Sequence, residues 1–239
     1  MRIWIKLNDT DEYDVKFGSW KLYDILYRSN GFVPDGIDFE EDVNKDGRRR
    51  FISKRVCHSA KEMVIDLSGE TDFNFGRKKI FGWGKSRMQY FKYYLKYVPK
   101  EEREIYSKLL SICEKHFYSP LNISLLPKTG GLNLVKKAIG NDRIDTFIWA
   151  LDEWYKGGAC LLLNCSSNEN IASVKEYLGL FKNVYDYCNT IYFIDDALVR
   201  DLISSGTKPI DSYQRAKEYM ILATRFWKQK REVISRLVK

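Results

Sequence analysis

Between Arg77 and Lys100 the chain carries Arg77, Lys78, Lys79, Lys85, Arg87, Lys92, Lys96 and Lys100 and no acidic residue. Phe81, Trp83, Tyr90, Phe91, Tyr93, Tyr94 and Tyr97 are set among these cations. Cationic side chains neutralise phosphates and exposed rings stack on bases, which is the chemistry of a single-stranded nucleic-acid site. On a helix, Lys85, Gln89, Lys92 and Lys96 share one face, and Met88, Phe91 and Leu95 share the adjacent one. The nucleic-acid candidates are therefore Arg77, Lys78, Lys79, Trp83, Lys85, Arg87, Lys92 and Lys96. A solvated lysine face with tyrosines packing at their edges has the same composition.

A second constellation lies at Asp142, Arg143 and Asp145. Arginine is the cation best suited to bidentate binding of a carboxylate or phosphate, so these three are the catalytic candidates for an enzyme acting on a phosphorylated or nucleotide substrate. An ion pair that orients neighbouring elements is the structural alternative. Other patterns are thinner. Asp42-Val43-Asn44-Lys45-Asp46-Gly47 matches half of a calcium loop, but Ser53 stands where the loop needs its acidic twelfth residue and Arg48, Arg49 and Arg50 oppose a cation. Asp66, Glu70 and Asp72 ahead of Lys78 only faintly resemble a hydrolytic carboxylate set. Cys57 beside His58 is poorly placed for a dyad, because neighbours on a strand face opposite ways, whereas Cys113 and His116 have helical spacing. Lys128-Thr129-Gly130-Gly131 is neither a dinucleotide fingerprint nor a P-loop. Neither a metal nor a cofactor is expected.

These residues sit in a chain of 239, long enough to bury a core as one domain, with a subdivision into 1–82 and 83–239 as the alternative. Hydrophobic content of 44% and aromatic content of 15% exclude wholesale disorder. The longest apolar runs, such as Ala159–Leu163, are too short to span a bilayer. The first residues, MRIWIKLNDTDEYD, lack the apolar stretch of a signal peptide, so a cytoplasmic location with reduced cysteines is expected and no membrane partner. A net charge of +8 favours nucleic acid or a nucleoprotein as partner, although abundant Lys, Ile, Asn and Tyr also fit an AT-rich genome.

The elements that would position the candidates follow from periodicity. Arg2–Leu7 alternates like a short strand, and Phe51–Cys57 with Met63–Leu67 reads as a hairpin. Helices are predicted at Trp20–Arg28, Lys85–Tyr97, Pro99–Phe117, Ser167–Phe181, Asp195–Ser205 and Ser212–Val238, the last with Asp211 and Gln214 as a capping box. Asn141–Lys156 is the helix around which the others should pack. Its Ile144, Phe147, Ile148, Leu151 and Tyr155 recur at helical spacing, and Gly157-Gly158 stops it. The expected fold class is α+β, mainly α-helical, with a small N-terminal antiparallel sheet.

At this helix, Asp142-Arg143-Ile144-Asp145 followed by Phe147 to Tyr155, with Gly131-Leu132-Asn133 upstream, resembles an uncharacterised bacterial family known only as a domain of unknown function. That family has an Asp-Arg-aromatic-Asp helix start; Ile144 stands here in the aromatic's place. Looser likeness extends over Leu22–Phe39, Leu178–Val199 and Arg225–Arg231. The resemblance implies a mainly helical fold and singles out Asp142, Arg143 and Asp145; it implies no activity. Three functions stay open: binding of nucleic acid or a nucleoprotein, with phage–host conflict as context; an enzyme near Arg143; and a protein-interaction module presenting tyrosines.

Overall fold

A computed structural model describes residues 40–43, 49–52, 64–66, 74–75, 78–79, 88–116, 120–125, 144–158, 175, 178–208 and 210–237, with side chains over 91–116, 121–122, 144–158, 178–208 and 210–236. Among the described residues six helices build the packed body: α1 (Met88–Tyr94), α2 (Arg103–His116), α3 (Ile144–Tyr155), α4 (Val184–Ile191), α5 (Asp196–Gly206) and α6 (Tyr213–Leu237). Short 3₁₀ turns follow α1 at Leu95–Tyr97, precede α2 at Lys100–Glu102, and occur at Pro120–Asn122.

The expectation of a small N-terminal antiparallel sheet is corrected. Among residues whose side chains are described the structure is helical, with no strand. Elsewhere among the described residues the backbone forms three two-stranded ladders, not paired with one another: β1 (Glu40–Val43) with β2 (Arg49–Ile52), β3 (Val64–Asp66) with β6 (Ile123–Leu125), and β4 (Asn74–Phe75) with β5 (Lys78–Lys79). The expected hairpin between 51–57 and 63–67 is absent from the described residues, since β2 and β3 each pair with another segment. Pairs of two to four residues bury too little to make a core, whereas a helix with an apolar stripe buries a whole face. In the first ladder Asp42 stands opposite Arg50.

The long α6 is the spine. It packs against α1, α2, α5 and the turn at Pro120–Asn122, while α3 has its most extensive contact with α5 and also meets α4. Along α6 the buried residues are Ala216, Tyr219, Met220, Ala223, Phe226, Trp227, Lys230 and Ile234, a stripe at three- and four-residue spacing. Lysine at one of those positions is anomalous. The Lys230 side chain is fully buried; its Nζ donates to the Leu121 carbonyl at 3.3 Å and lies 5.7 Å from the Phe226 ring centre. Beside it Trp227 Nε1 donates to Asn122 Oδ1 at 3.2 Å, so α6 holds the 120–122 turn through two buried donors.

Helix ends follow capping chemistry, with two departures from expectation. Asn183 accepts from the Asp186 N–H and Asp195 from the Leu198 N–H, each offering a side-chain oxygen to an otherwise orphaned donor. For α6 the cap is Ser212, whose hydroxyl accepts from the Arg215 N–H at 3.3 Å, in place of Asp211. Gly206 is the last residue of α5 and stays inside it rather than lying beyond its end. Gly157 does terminate α3, with φ +80°. The helix α4 was not foreseen, because its apolar positions Val184, Tyr187, Cys188 and Ile191 are few and interrupted by polar residues. Among the described residues no helix is long and apolar enough to cross a membrane.

Candidate nucleic-acid interface

Helix α1 and its trailing turn divide their residues between core and solvent. Phe91, Tyr94 and Val98 are buried, and Leu95 packs partly against the core. The Tyr94 hydroxyl donates to the Ile210 carbonyl at 3.1 Å, and Tyr106 from α2 donates to the Phe91 carbonyl at 2.9 Å. These bonds fix the segment against α2 and the residues before α6. The outer side carries Lys92, Lys96, Tyr97 and Lys100 in the open and Tyr93 half-buried.

Three of them form one cluster. Tyr93 and Tyr97 are one turn apart, their hydroxyls 3.0 Å from each other and their rings edge-to-face at 5.6 Å. The Lys96 ammonium sits 3.9 Å from the Tyr93 ring centre and 4.8 Å from that of Tyr97, within cation–π range of both. Interaction with the Tyr97 hydroxyl, then with Tyr93, holds the Lys96 ammonium above its ordinary pKa. The Tyr97 hydroxyl is drawn below its ordinary value, first by its hydrogen bond with Tyr93 and then by Lys96. Lys96 is thus a fixed positive charge. Lys92 differs: its Nζ pairs with Glu114 Oε1 of α2 at 2.5 Å, and both side chains are exposed. The acid-free run is therefore partly neutralised by a neighbouring helix.

Of the nucleic-acid candidates, Lys92 and Lys96 lie on this surface. Lys78 and Lys79 are placed by backbone alone, opposite Phe75 and Asn74 in the last ladder. Arg77, Trp83, Lys85 and Arg87 lie outside the described residues. Glu114 could not be anticipated from the run itself; the spacing of Tyr93, Lys96 and Tyr97 was the available sign of the cluster.

Asp142 and Arg143 also lie outside the described residues, but Asp145 is fully buried in the first turn of α3. Its Oδ2 accepts from the Ser205 hydroxyl at 2.7 Å and its Oδ1 from the Thr146 backbone N–H at 2.8 Å. Ser205 in turn accepts from Arg215 Nη2 at 3.3 Å, and Arg215 pairs with Glu218. Asp145 therefore ties α3 to α5, with Arg215 of α6 completing the chain, a connection no sequence spacing announces.

The Cys113 and His116 pair on α2 lacks the electrostatics of a nucleophile and base. Burial pushes the Cys113 thiol up to about 12, away from the thiolate that attack requires. His116 packs its ring against Trp227 at 5.0 Å, and its buried Nδ1 has no hydrogen-bond partner among the described residues. Burial, helped by nearby Arg231 and Lys115, lowers its pKa to about 4. Between pH 6.5 and about 4 the unfolded chain holds a proton at this site that the folded chain does not, so stability declines as pH falls through that window. Thermal melts of wild type and His116→Leu at pH 7 and 4.5 check this; the wild type should lose roughly 3–6 °C more than the variant. Equal losses would mean that His116 titrates normally.

Asp66 is placed by backbone opposite Ile123, while Glu70, Asp72, Cys57 and His58 lie outside the described residues, as does most of the calcium-like loop. Comparison with protein-family models, with curated proteins and with solved structures finds no match to this chain.

Proposed function

We propose that this protein binds nucleic acid, alone or within a nucleoprotein, through the surface of Lys92, Tyr93, Lys96, Tyr97 and Lys100. The observation that carries the reading is the Lys96 ammonium held against two tyrosine rings, at 3.9 and 4.8 Å, on a segment anchored to the core. Long lysine side chains ordinarily lose rotamer freedom when they contact a phosphate; one already held by its neighbours loses less. Lys100 adds a second exposed cation a few residues on, and Lys92 a third once its pairing with Glu114 is exchanged for a phosphate. The protein's net charge of +8 favours such a partner at long range. The enzyme reading gains less support, since the Asp145 carboxylate is buried and engaged by Ser205 and the Thr146 N–H.

Fluorescence anisotropy of labelled oligonucleotides across a salt series is the test. Affinity should fall steeply with salt, and replacing Lys96 and Lys100 by Gln should reduce the slope of log K against log salt by about 2. Circular dichroism of the variant establishes that it is folded. An absence of binding at low salt, or a slope untouched by the double replacement, would sink the proposal.

A further inference from the structure

The same surface carries a finer distinction between nucleic-acid forms. Lys96 lies within reach of both tyrosine rings, but of the two only Tyr97 is exposed enough to receive a base. Tyr93 is covered on several sides: Lys96 lies over its ring, Tyr94 meets it edge-to-face at 5.7 Å, and Tyr97 meets it at 5.6 Å. Tyr97 is 54% exposed, the most exposed large hydrophobic residue among those described. It closes the 3₁₀ turn after α1, just before the chain turns inward at buried Val98.

We infer that Tyr97 is a stacking platform for one unpaired base, with Lys96 as the cation for the adjoining phosphate, so that the ligand of this surface is single-stranded. This rests on the nucleic-acid reading above. A base inside a duplex has both faces covered by its neighbours and offers nothing to a single projecting ring, whereas an unpaired base offers a whole face. Every base has such a face, so one platform with one phosphate contact discriminates strand form and not sequence. The Tyr93–Tyr97 hydroxyl contact sets the tilt of the Tyr97 ring before a ligand arrives, and the core bonds of Tyr94 and Tyr106 keep the turn from moving. The ring and the ammonium are therefore brought together before a ligand arrives.

The test uses the full-length protein, a fluorescent single strand of mixed sequence, and the same strand annealed to its complement. The variants are Tyr97→Phe, which keeps the ring, and Tyr97→Leu, which keeps bulk without a π-face. Expected results are tighter binding of the single strand than of the duplex, a loss of about five- to a hundredfold for Tyr97→Leu on the single strand, and a smaller loss for Tyr97→Phe, which keeps the stacking face but gives up the hydroxyl contact with Tyr93. Duplex affinity should be nearly the same for all three proteins. A strand carrying 2-aminopurine gives an independent readout: its emission should be quenched by wild type and Tyr97→Phe, and not by Tyr97→Leu. If duplex and single strand bind alike, Tyr97→Leu is silent and Lys96→Gln still weakens binding, the surface is a charge contact only and the stacking inference falls while the nucleic-acid reading stands. If neither form binds at low salt, both fall.

Discussion

Replacing Gly206 by Ala should destabilise the protein by about 3 kcal/mol or more, with a fall in Tm of roughly 6–12 °C for a chain of this size. A methyl group there would lie 2.5 Å from the Asp145 carbonyl oxygen, 3.0 Å from its carbon and 2.6 Å from Trp149 Cβ. None of these is the far end of a flexible side chain. Relief requires α3 and α5, the pair with the most extensive contact, to move apart. Separation would also stretch the bond from Thr146 Oγ1 to the Gly206 carbonyl, 2.9 Å, and the one from Ser205 Oγ to Asp145, 2.7 Å. A clash and the weakening of two buried hydrogen bonds then add in one direction. Gly157→Ala is the contrast: nothing lies within 4 Å of the added methyl and only the left-handed backbone at φ +80° opposes it, so a cost of about 1–2 kcal/mol is expected. Urea and thermal unfolding of the two variants decide the matter. A Gly206→Ala protein no less stable than Gly157→Ala would mean that the two helices yield freely at this contact.

How much of this could be read in advance varies with the physics involved. Helical periodicity was legible in α3, where Ile144, Phe147, Ile148 and Leu151 recur and are all buried. So was the stop at Gly157, because only a residue tolerant of positive φ ends a helix that way. The sheet was misjudged since alternation in a short segment speaks of local backbone preference and says nothing of whether a partner strand completes a core. The surface at α1 was half legible. Its cations and rings are contiguous in sequence, but the acid that pairs with Lys92 arrives from α2, and which tyrosine stays exposed depends on Ile210 accepting from Tyr94. The Asp145–Ser205–Arg215 connection joins residues sixty and ten positions apart and leaves no periodic trace. Asp145 drew notice for its neighbour Arg143, which lies outside the described residues; among those described, Ser205 of α5 and the Thr146 N–H donate to it.

Lys230 is the case where the sequence pattern argues against its own residue, and it leads to the second large effect. Position 230 continues the stripe of Tyr219, Ala223, Phe226 and Trp227, and the side chain is fully buried there. Burial lowers its pKa well below 10.5, because an ammonium removed from water loses its hydration. Below pH 10.5 the unfolded chain holds the proton at this position. Down to the depressed folded pKa the native chain does not, so the unfolded state binds more protons across that window. Stability should therefore rise with pH by up to about 1.4 kcal/mol per unit, levelling off above 10.5. Lys230→Met keeps the length of the side chain and removes the titrating group. It should gain about 1–3 kcal/mol at pH 7, or roughly 2–4 °C in Tm per kcal/mol, and its stability relative to wild type should shrink as pH rises. Chemical denaturation of both proteins from pH 6 to pH 10.5 reads this difference directly, and every lysine and tyrosine other than position 230 is common to the two. A variant less stable than wild type at every pH would show that the donor to Leu121 matters more to the 120–122 turn than the buried nitrogen costs.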